Sequence, residues 1–270
     1  MTALVNHFAF EFKTGLRDTN LLMMNYLFPL AFYAMMGLVM TQINPLFADT
    51  MIPAMVLFAA MASTLLGLPG PLVESREAGI YRSYRINGVP AAAILLMPTL
   101  TTAFHVLIVG AIIAVTGKPF FGGVAPANWG AFILITLVSV LSFTGLGSLI
   151  GVVAGDSRAV VLFSQLIFLP SMLLGGLMMP LSILPDSVRP VSLLMPASHA
   201  MQAYLGFAYG AATVVDPLMS VVVLAASGLV AFGLAIYLFN WDSRNSARRG
   251  HPLMALLALV PYVVAVITQI

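Results

Sequence analysis

Histidine and acidic side chains, the groups that most often bind metals or move protons, are few and scattered in this sequence. The four histidines, His7, His105, His199 and His251, fall in four separate segments without the short spacings of metal ligands. Serine, histidine and aspartate show no arrangement that would bring a nucleophile, a base and a carboxylate together. The chain has no cysteine, which excludes disulfides and thiolate chemistry. We therefore predict no catalytic site, no metal site and no cofactor.

The sequence patterns also argue against nucleotide binding by this chain. Gly117-Lys118 is the only Gly-Lys pair, and it is followed by Pro119 where a phosphate loop requires serine or threonine. Gly145-x-Gly147 lies inside an apolar run with no strand before it, which favours helix packing over nucleotide binding. A net charge of +2, with basic residues scattered along the chain, argues against nucleic-acid binding. Any ATP chemistry must therefore come from a separate chain.

Polar side chains inside apolar runs are the remaining candidates for contact with a ligand. Asn25, His105 and Gln165 lie within runs long enough to cross a membrane. A polar or ionisable group at that depth is costly, which makes a functional role the default hypothesis. His105 could equally be a neutral imidazole bonded to a neighbouring helix. We take these three residues as candidates for a substrate path.

A charged segment, residues 74–90, separates two long apolar runs. A charge at the centre of a bilayer costs about 2.5 to 3.5 kcal/mol, so this segment must lie in water or against another protein. Gly79 is expected to end the preceding helix, Asn87-Gly88 is a helix stop, and Pro90 suits the first turn of the next helix. The segment holds five of the twenty formally charged side chains, Glu74, Arg76, Glu77, Arg82 and Arg85. The pattern predicts a short helix with defined ends, although many loops between membrane helices carry arginines.

The composition that surrounds these residues is that of an integral membrane protein. Of the 270 residues, 61% are hydrophobic and 7% are charged, against about 45 to 50% and about 25% in globular proteins. Because about twenty helical residues cross the hydrocarbon, the sequence predicts an all-α polytopic fold. The apolar segments lie at about 21–43, 50–73, 91–116, 128–154, 159–180, 214–239 and 252–269. The last one, divided by Pro261, either crosses the membrane or lies as an interfacial or re-entrant helix.

The regions outside and between these spans carry their own signals. Val5, Phe8, Phe12 and Leu16 follow a helical spacing, which predicts an amphipathic surface helix over residues 1–20 and no cleavable signal peptide. Four prolines interrupt the apolar residues 181–212 and their boundary, which predicts two short re-entrant helices at the outer face. These prolines are Pro180, Pro185, Pro190 and Pro196.

The distribution of lysine and arginine predicts the orientation. A cytoplasmic N-terminus places nine of the eleven basic residues in the cytoplasm and leaves only Lys118 and Arg189 outside. We therefore expect a multi-pass protein of the plasma or inner membrane. Gly147, Gly151 and Gly155 form a small-residue stripe that would let another helix approach span four closely.

The order of these elements resembles the membrane-spanning permease of the type-2 class of ATP-binding-cassette (ABC) exporters. The resemblance covers about residues 1–240 and leaves 241–270 as a basic linker with an extra hydrophobic segment. It departs from the family at Ile80, where threonine is usual, and in its seventh apolar run, since the family usually ends after six spans. The residues that carry it are Glu74-Ser75-Arg76-Glu77-Ala78-Gly79 with Pro90, Gly147 and Gly151 with the turn at Asp156, Gly175-Gly176 to Pro180, and Leu184-Pro185 to Leu194-Met195-Pro196.

This resemblance implies a partner, a site and a cargo. A cytoplasmic ABC ATPase would bind the N-terminal helix and the loop after span two, which that family calls the coupling helix. The residues implied are Glu74, Arg76, Glu77, Gly79, Arg82 and Arg85, with Asp156 and Arg158 as a second contact. Two permease copies, as a homo- or heterodimer surrounded by membrane lipid, would move a hydrophobic or amphipathic drug, lipid or polysaccharide outward. An ion-coupled carrier, an enzyme acting on lipid and a non-transporting scaffold remain as alternatives.

Overall fold

The computed structural model describes residues 19–44, 46–241 and 250–269. These residues are mostly helical and contain no strand. Seven helices are long and apolar enough to cross a membrane, which confirms a polytopic all-α membrane protein. We number them as spans one to seven, in order Met23–Ile43, Phe47–Glu77, Ala91–Phe121, Trp129–Val153, Ser157–Leu174, Pro217–Leu238 and Pro252–Gln269. The predicted surface helix lies outside the described residues except for positions 19 and 20.

Successive spans run in opposite directions, so the bundle has two ends. At one end Arg76, Val152 and Pro252 line a common recess, which joins the ends of spans two and four to the start of span seven. At the other end the amide of Val124 donates to the carbonyl of Ala48 at 3.1 Å. We call the end that contains Arg76 the basic end, because it holds four of the six described lysines and arginines. These are Arg76, Arg82, Arg85 and Arg158.

Span two forms the centre of the bundle, with 94% of its most apolar window buried. Spans one, three, four and five all pack against it. The glycine stripe predicted on span four lies at the contact between spans two and four. A Cβ at Gly147 would lie 2.2 Å from the carbonyl oxygen of Thr64, and one at Gly151 would lie 2.8 Å from the Leu72 side chain. The stripe is therefore confirmed at these two positions, whereas Gly155 has open space around it.

The segment between spans five and six is broken, as its prolines predict. It contains a 3-10 turn, Leu181–Ile183, two short helices, Arg189–Leu193 and Pro196–Ala203, and a π-helical turn, Tyr204–Ala208. The buried imidazole of His199 donates from Nε2 to the carbonyl of Leu193 at 2.8 Å, which fixes one short helix against the other. Whether these helices enter a lipid leaflet stays a prediction.

Span seven packs along spans four and six. The Ser227 hydroxyl donates to the carbonyl of Ala258 at 2.9 Å, and the buried Tyr262 hydroxyl lies 3.1 Å from the hydroxyl of Ser142. The first eight residues of span seven, Pro252–Leu259, form a 3-10 helix, and the next ten are α-helical. At about 2.0 and about 1.5 Å per residue, the run extends about 31 Å, close to the thickness of a hydrocarbon core.

The far end of span seven reaches the end of the bundle opposite to Arg76. Val266 packs there against Leu181, Leu184 and Val215, which belong to the segment between spans five and six. Span seven therefore runs the whole length of the bundle, the geometry of a crossing helix. The division of the chain into domains at residue 240 stays a prediction.

Candidate functional site

The charged segment forms the connection between spans two and three at the basic end. The last α-helical part of span two is Pro69–Glu77, so the first three charged residues of the segment belong to its last turns. The chain then turns at Gly79, whose φ of 75° favours glycine, and continues into the short helix Ile80–Ile86. We call residues 74–90 the loop surface. They comprise the charged last turns of span two, this short helix and the residues that end it.

The predicted stop at Asn87-Gly88 is confirmed in detail. Gly88 has a φ of 73°. Its amide donates to the carbonyl of Arg85 at 3.1 Å, and the amide of Val89 donates to the carbonyl of Tyr84 at 3.0 Å. These two bonds form the Schellman motif, which satisfies carbonyls at the end of a helix. The short helix therefore has fixed ends and can act as a unit.

The loop surface presents charge outward and an aromatic ring inward. The Tyr81 side chain is only 5% exposed, and its ring lies 5.3 Å from that of Phe239, just after span six. Ile86, in contrast, is 81% exposed. The exposed charged side chains are Glu74, Glu77, Arg82 and Arg85. This combination of charges and an exposed isoleucine, held on a docked helix, suits contact with another protein.

Arg76 differs from the other charged residues of the loop surface, because only 6% of it is exposed. Its guanidinium donates to the carbonyls of Val152 at 2.9 Å, Gly151 at 3.3 Å and Ala154. These carbonyls lie at the C-terminal end of span four, where they lack intrahelical partners and where the helix dipole favours a cation. Arg76 thus lies beneath the surface and ties span two to the end of span four.

The second predicted contact, the turn between spans four and five, lies at the same end. Asp156 is exposed, and its carboxylate accepts from the amide of Ala159 at 2.8 Å, which caps the N-terminus of span five. Arg158 is exposed in the first turn of that helix. Arg76 bonds to Ala154, two residues before Asp156, so the two predicted contacts are physically joined.

Of the three intramembrane candidates, Asn25 lies on span one and His105 on span three, which contacts span one next to Asn25. His105 is 3% exposed, and its Nδ1 lies 2.6 Å from the hydroxyl of Tyr26, the neighbour of Asn25. Asn25 is 4% exposed, and its Oδ1 has no hydrogen-bond partner among the described residues. Gln165 lies on span five, and its buried Oε1 also has no partner there.

The Asn25 side chain lies where two π-helical segments meet. Met23–Leu27 in span one and Ala62–Gly67 in span two are both π-helical, and they pack against each other. A Cβ at Gly67 would lie 3.8 Å from the Oδ1 of Asn25. Single π-helical turns inside α-helices are frequent at functional sites. No sequence pattern predicts these π-helical turns, because packing between helices decides whether a turn contains an extra residue.

Metal binding has no obvious place in this arrangement. Within residues 19–44, 46–241 and 250–269, no group of three or more histidine, aspartate or glutamate side chains could hold an ion. The polar groups considered above are the exposed charges of the loop surface and the buried amide oxygens of Asn25 and Gln165. Such groups can bind a protein partner or donate and accept single hydrogen bonds.

Comparison with known proteins gives two matches of different kinds. A family profile described as "ABC-2 type transporter" matches residues 4–209. A protein of Bacillus subtilis (strain 168) named "Putative transport permease YvfS" is 25% identical over 199 residues, which cover 70% of this chain and 78% of that protein. No solved structure matches the chain. The family match ends before span six begins at Pro217, so span seven lies well beyond it.

Proposed function

The chain belongs to the ABC-2 type transporter family, as the membrane permease subunit of an ABC transporter, and from this premise we propose that it is an exporter driven by a separate ATPase chain. The ATPase binds the loop surface in the cytoplasm, and a second permease copy completes the transporter. The concentration of arginine at the basic end supports a cytoplasmic position for that end. The cargo is a hydrophobic or amphipathic molecule that moves outward.

The observation that carries this proposal is the direct connection of the loop surface to the bundle. The last α-helical part of span two, Pro69–Glu77, joins the central part of the span through the π-helical segment Ala62–Gly67, and Arg76 bonds to the end of span four. A force applied to the exposed charges therefore acts on two central helices at once. ATP-driven closure of the partner would move these helices as a body, as in hinge and shear transitions.

The first test is purification of the tagged full-length chain in mild detergent, followed by mass spectrometry. We expect an ATPase with a phosphate loop to copurify in equal amounts. Glu77→Arg should leave the permease folded and weaken this association, because it reverses an exposed charge on the loop surface. The matched control is Asp186→Arg at the opposite end, where Asp186 makes only an exposed ion pair with Arg189 at 2.9 Å.

Three outcomes would contradict the proposal. If the ATPase bound the Glu77→Arg variant as well as it binds the wild type, the loop surface would not be part of the interface. Purification of the chain alone, with cargo transport in vesicles that lack ATP, would favour the ion-coupled carrier instead. A stable complex with a protein other than an ATPase, without transport, would favour the scaffold.

We further propose that the orphaned amide of Asn25 accepts a hydrogen bond from the cargo during transport. A buried acceptor without a partner costs about 1 to 3 kcal/mol, so Asn25→Leu should raise the thermal stability of the permease while it slows transport. Ser139→Ala on span four is the control, because the Ser139 hydroxyl is also buried without a partner. We expect that variant to change stability alone. The readout is ATP-dependent accumulation of a fluorescent amphipathic dye in inverted vesicles, and unchanged transport by Asn25→Leu would refute the role.

A further inference from the structure

An apolar groove of about 590 Å³ lies between span five and span seven. Four segments form its walls, namely spans four, five and seven and the short helices before span six. All of its lining side chains are apolar, among them Ile150, Leu166, Met195 and Leu256. Leu166 is 71% exposed and Leu256 is 58% exposed, so the groove is open to the outside of the bundle.

The size of the groove limits what can fill it. On span seven its wall extends from Leu253 to Val263, a length of about 18 Å at about 2.0 Å per 3-10 residue and about 1.5 Å per α-helical residue. A thin hydrocarbon chain fits, and the volume is within the range of about 300 to 1,000 Å³ found for small-ligand sites.

One end of the groove meets a polar boundary. Val153 and Pro252 line both the groove and the recess at the basic end that contains Arg76 and Asn240. The other end of the groove, at Val191 and Val263, is apolar. An occupant with a polar group at the basic end and an apolar chain along the groove would match both ends.

We propose that the groove binds one acyl chain of a membrane phospholipid, with the headgroup at the basic end. This site goes beyond the proposed export function, because it requires neither the ATPase nor movement of the lipid. Span seven supplies one wall of the groove and lies outside the residues 4–209 that match the family. One wall of the site therefore lies beyond the family match, whereas the other walls lie within it.

The test is photolabelling of the full-length permease in nanodiscs with a phospholipid that carries a diazirine on its acyl chain. We expect labelled peptides to concentrate on spans five and seven at the groove. Leu166→Trp fills the groove and should lower this labelling about tenfold, because it displaces about two methylene groups of the chain. Leu162→Trp is the matched control, since Leu162 lies one turn away on the same helix, is 69% exposed and does not line the groove.

Span seven offers a second pair of variants, which keeps the test decisive if Leu166→Trp fails to fold. Leu256→Trp should lower the labelling, and Leu257→Trp, at an exposed neighbour outside the groove, should not. Even labelling of all lipid-facing peptides, unchanged by either groove variant, would overturn the site. Labelling by a diazirine fatty acid but not by the phospholipid would overturn the proposed occupant.

A second copy of the chain is the remaining occupant to exclude. Because the chain has no cysteine, Leu166→Cys is the only thiol in that variant. A rapid disulfide-linked dimer at this position, with no photolabelling of the groove, would assign the groove to an interface between copies and overturn the proposal. We expect the variant to remain uncrosslinked at this position.

Discussion

The guanidinium of Arg76 is the one described charge that lies beneath the surface at the basic end. Its hydrogen bonds to carbonyls of Val152 and Gly151 cross from span two to span four. A surface arginine would be free to follow a partner, whereas this one fixes two helix ends relative to each other. We therefore treat it as a positioning residue for the loop surface.

Arg76→Ala should destabilise the permease and uncouple it from the ATPase. Each hydrogen bond from a charged donor contributes about 1.5 to 3 kcal/mol, and water at the membrane surface replaces part of this, so we expect a net loss of about 1 to 3 kcal/mol. Thermal unfolding in detergent measures the loss, and ATP hydrolysis by the copurified complex measures the coupling. Arg85→Ala, at an exposed position, should leave stability nearly unchanged. Equal stability and activity of the two variants would contradict the positioning role.

Sequence alone singled out polar residues at this scale as candidates, but it did not indicate their partners. The positions of Asn25 and His105 inside apolar runs marked them as costly and hence notable. Tyr26 is the partner of His105, yet an aromatic residue near the start of a membrane span is common and carries no specific signal. Likewise, the burial of Arg76 depends on where span four ends in space, which local sequence does not encode.

At the scale of the helices, the prediction from sequence succeeded where the deciding force is local. Length and hydropathy placed all seven spans within a few residues at most boundaries. The largest difference is span five, which ends at Leu174 because Gly176 takes a φ of 87° and turns the chain. The π-helical and 3-10 segments were missed, since hydrogen-bond register inside a helix responds to tertiary packing.

Close packing of spans two and four makes a sharp prediction for Gly147→Ala. The added methyl group would lie 2.2 Å from the carbonyl oxygen of Thr64, a main-chain atom that can move only if the two helices separate. We expect a loss of stability of about 1 to 3 kcal/mol, the usual cost of overpacking, measured by thermal unfolding in detergent.

Gly233→Ala in span six is the matched control for this substitution. No atom lies within 4 Å of the position that its Cβ would occupy. The same methyl group should therefore leave stability unchanged or raise it slightly, because alanine is the better helix former. Similar behaviour of the two variants would mean that spans two and four are not in close contact.

For the whole molecule, the two ends of the bundle differ in structure. The basic end holds the loop surface and the polar boundary of the groove, and the opposite end holds the broken segment before span six. Span seven connects the two ends, and its 3-10 half lets eighteen residues cover a length that a pure α-helix would cover only with about twenty. Met23 and Gln269, the first and last residues of the seven spans, therefore lie at opposite ends of the bundle.

Labelling of single cysteines tests this arrangement, because the chain has no cysteine of its own. With the basic end in the cytoplasm, Arg85→Cys should react with an impermeant maleimide only after the membrane is permeabilised. Ile270→Cys, at the residue that follows span seven, should react in intact cells, as should Asp186→Cys at the exposed outer segment. Reaction of Ile270→Cys only after permeabilisation would mean that span seven does not cross. Inversion of all three results would reverse the orientation while leaving the seven crossings intact.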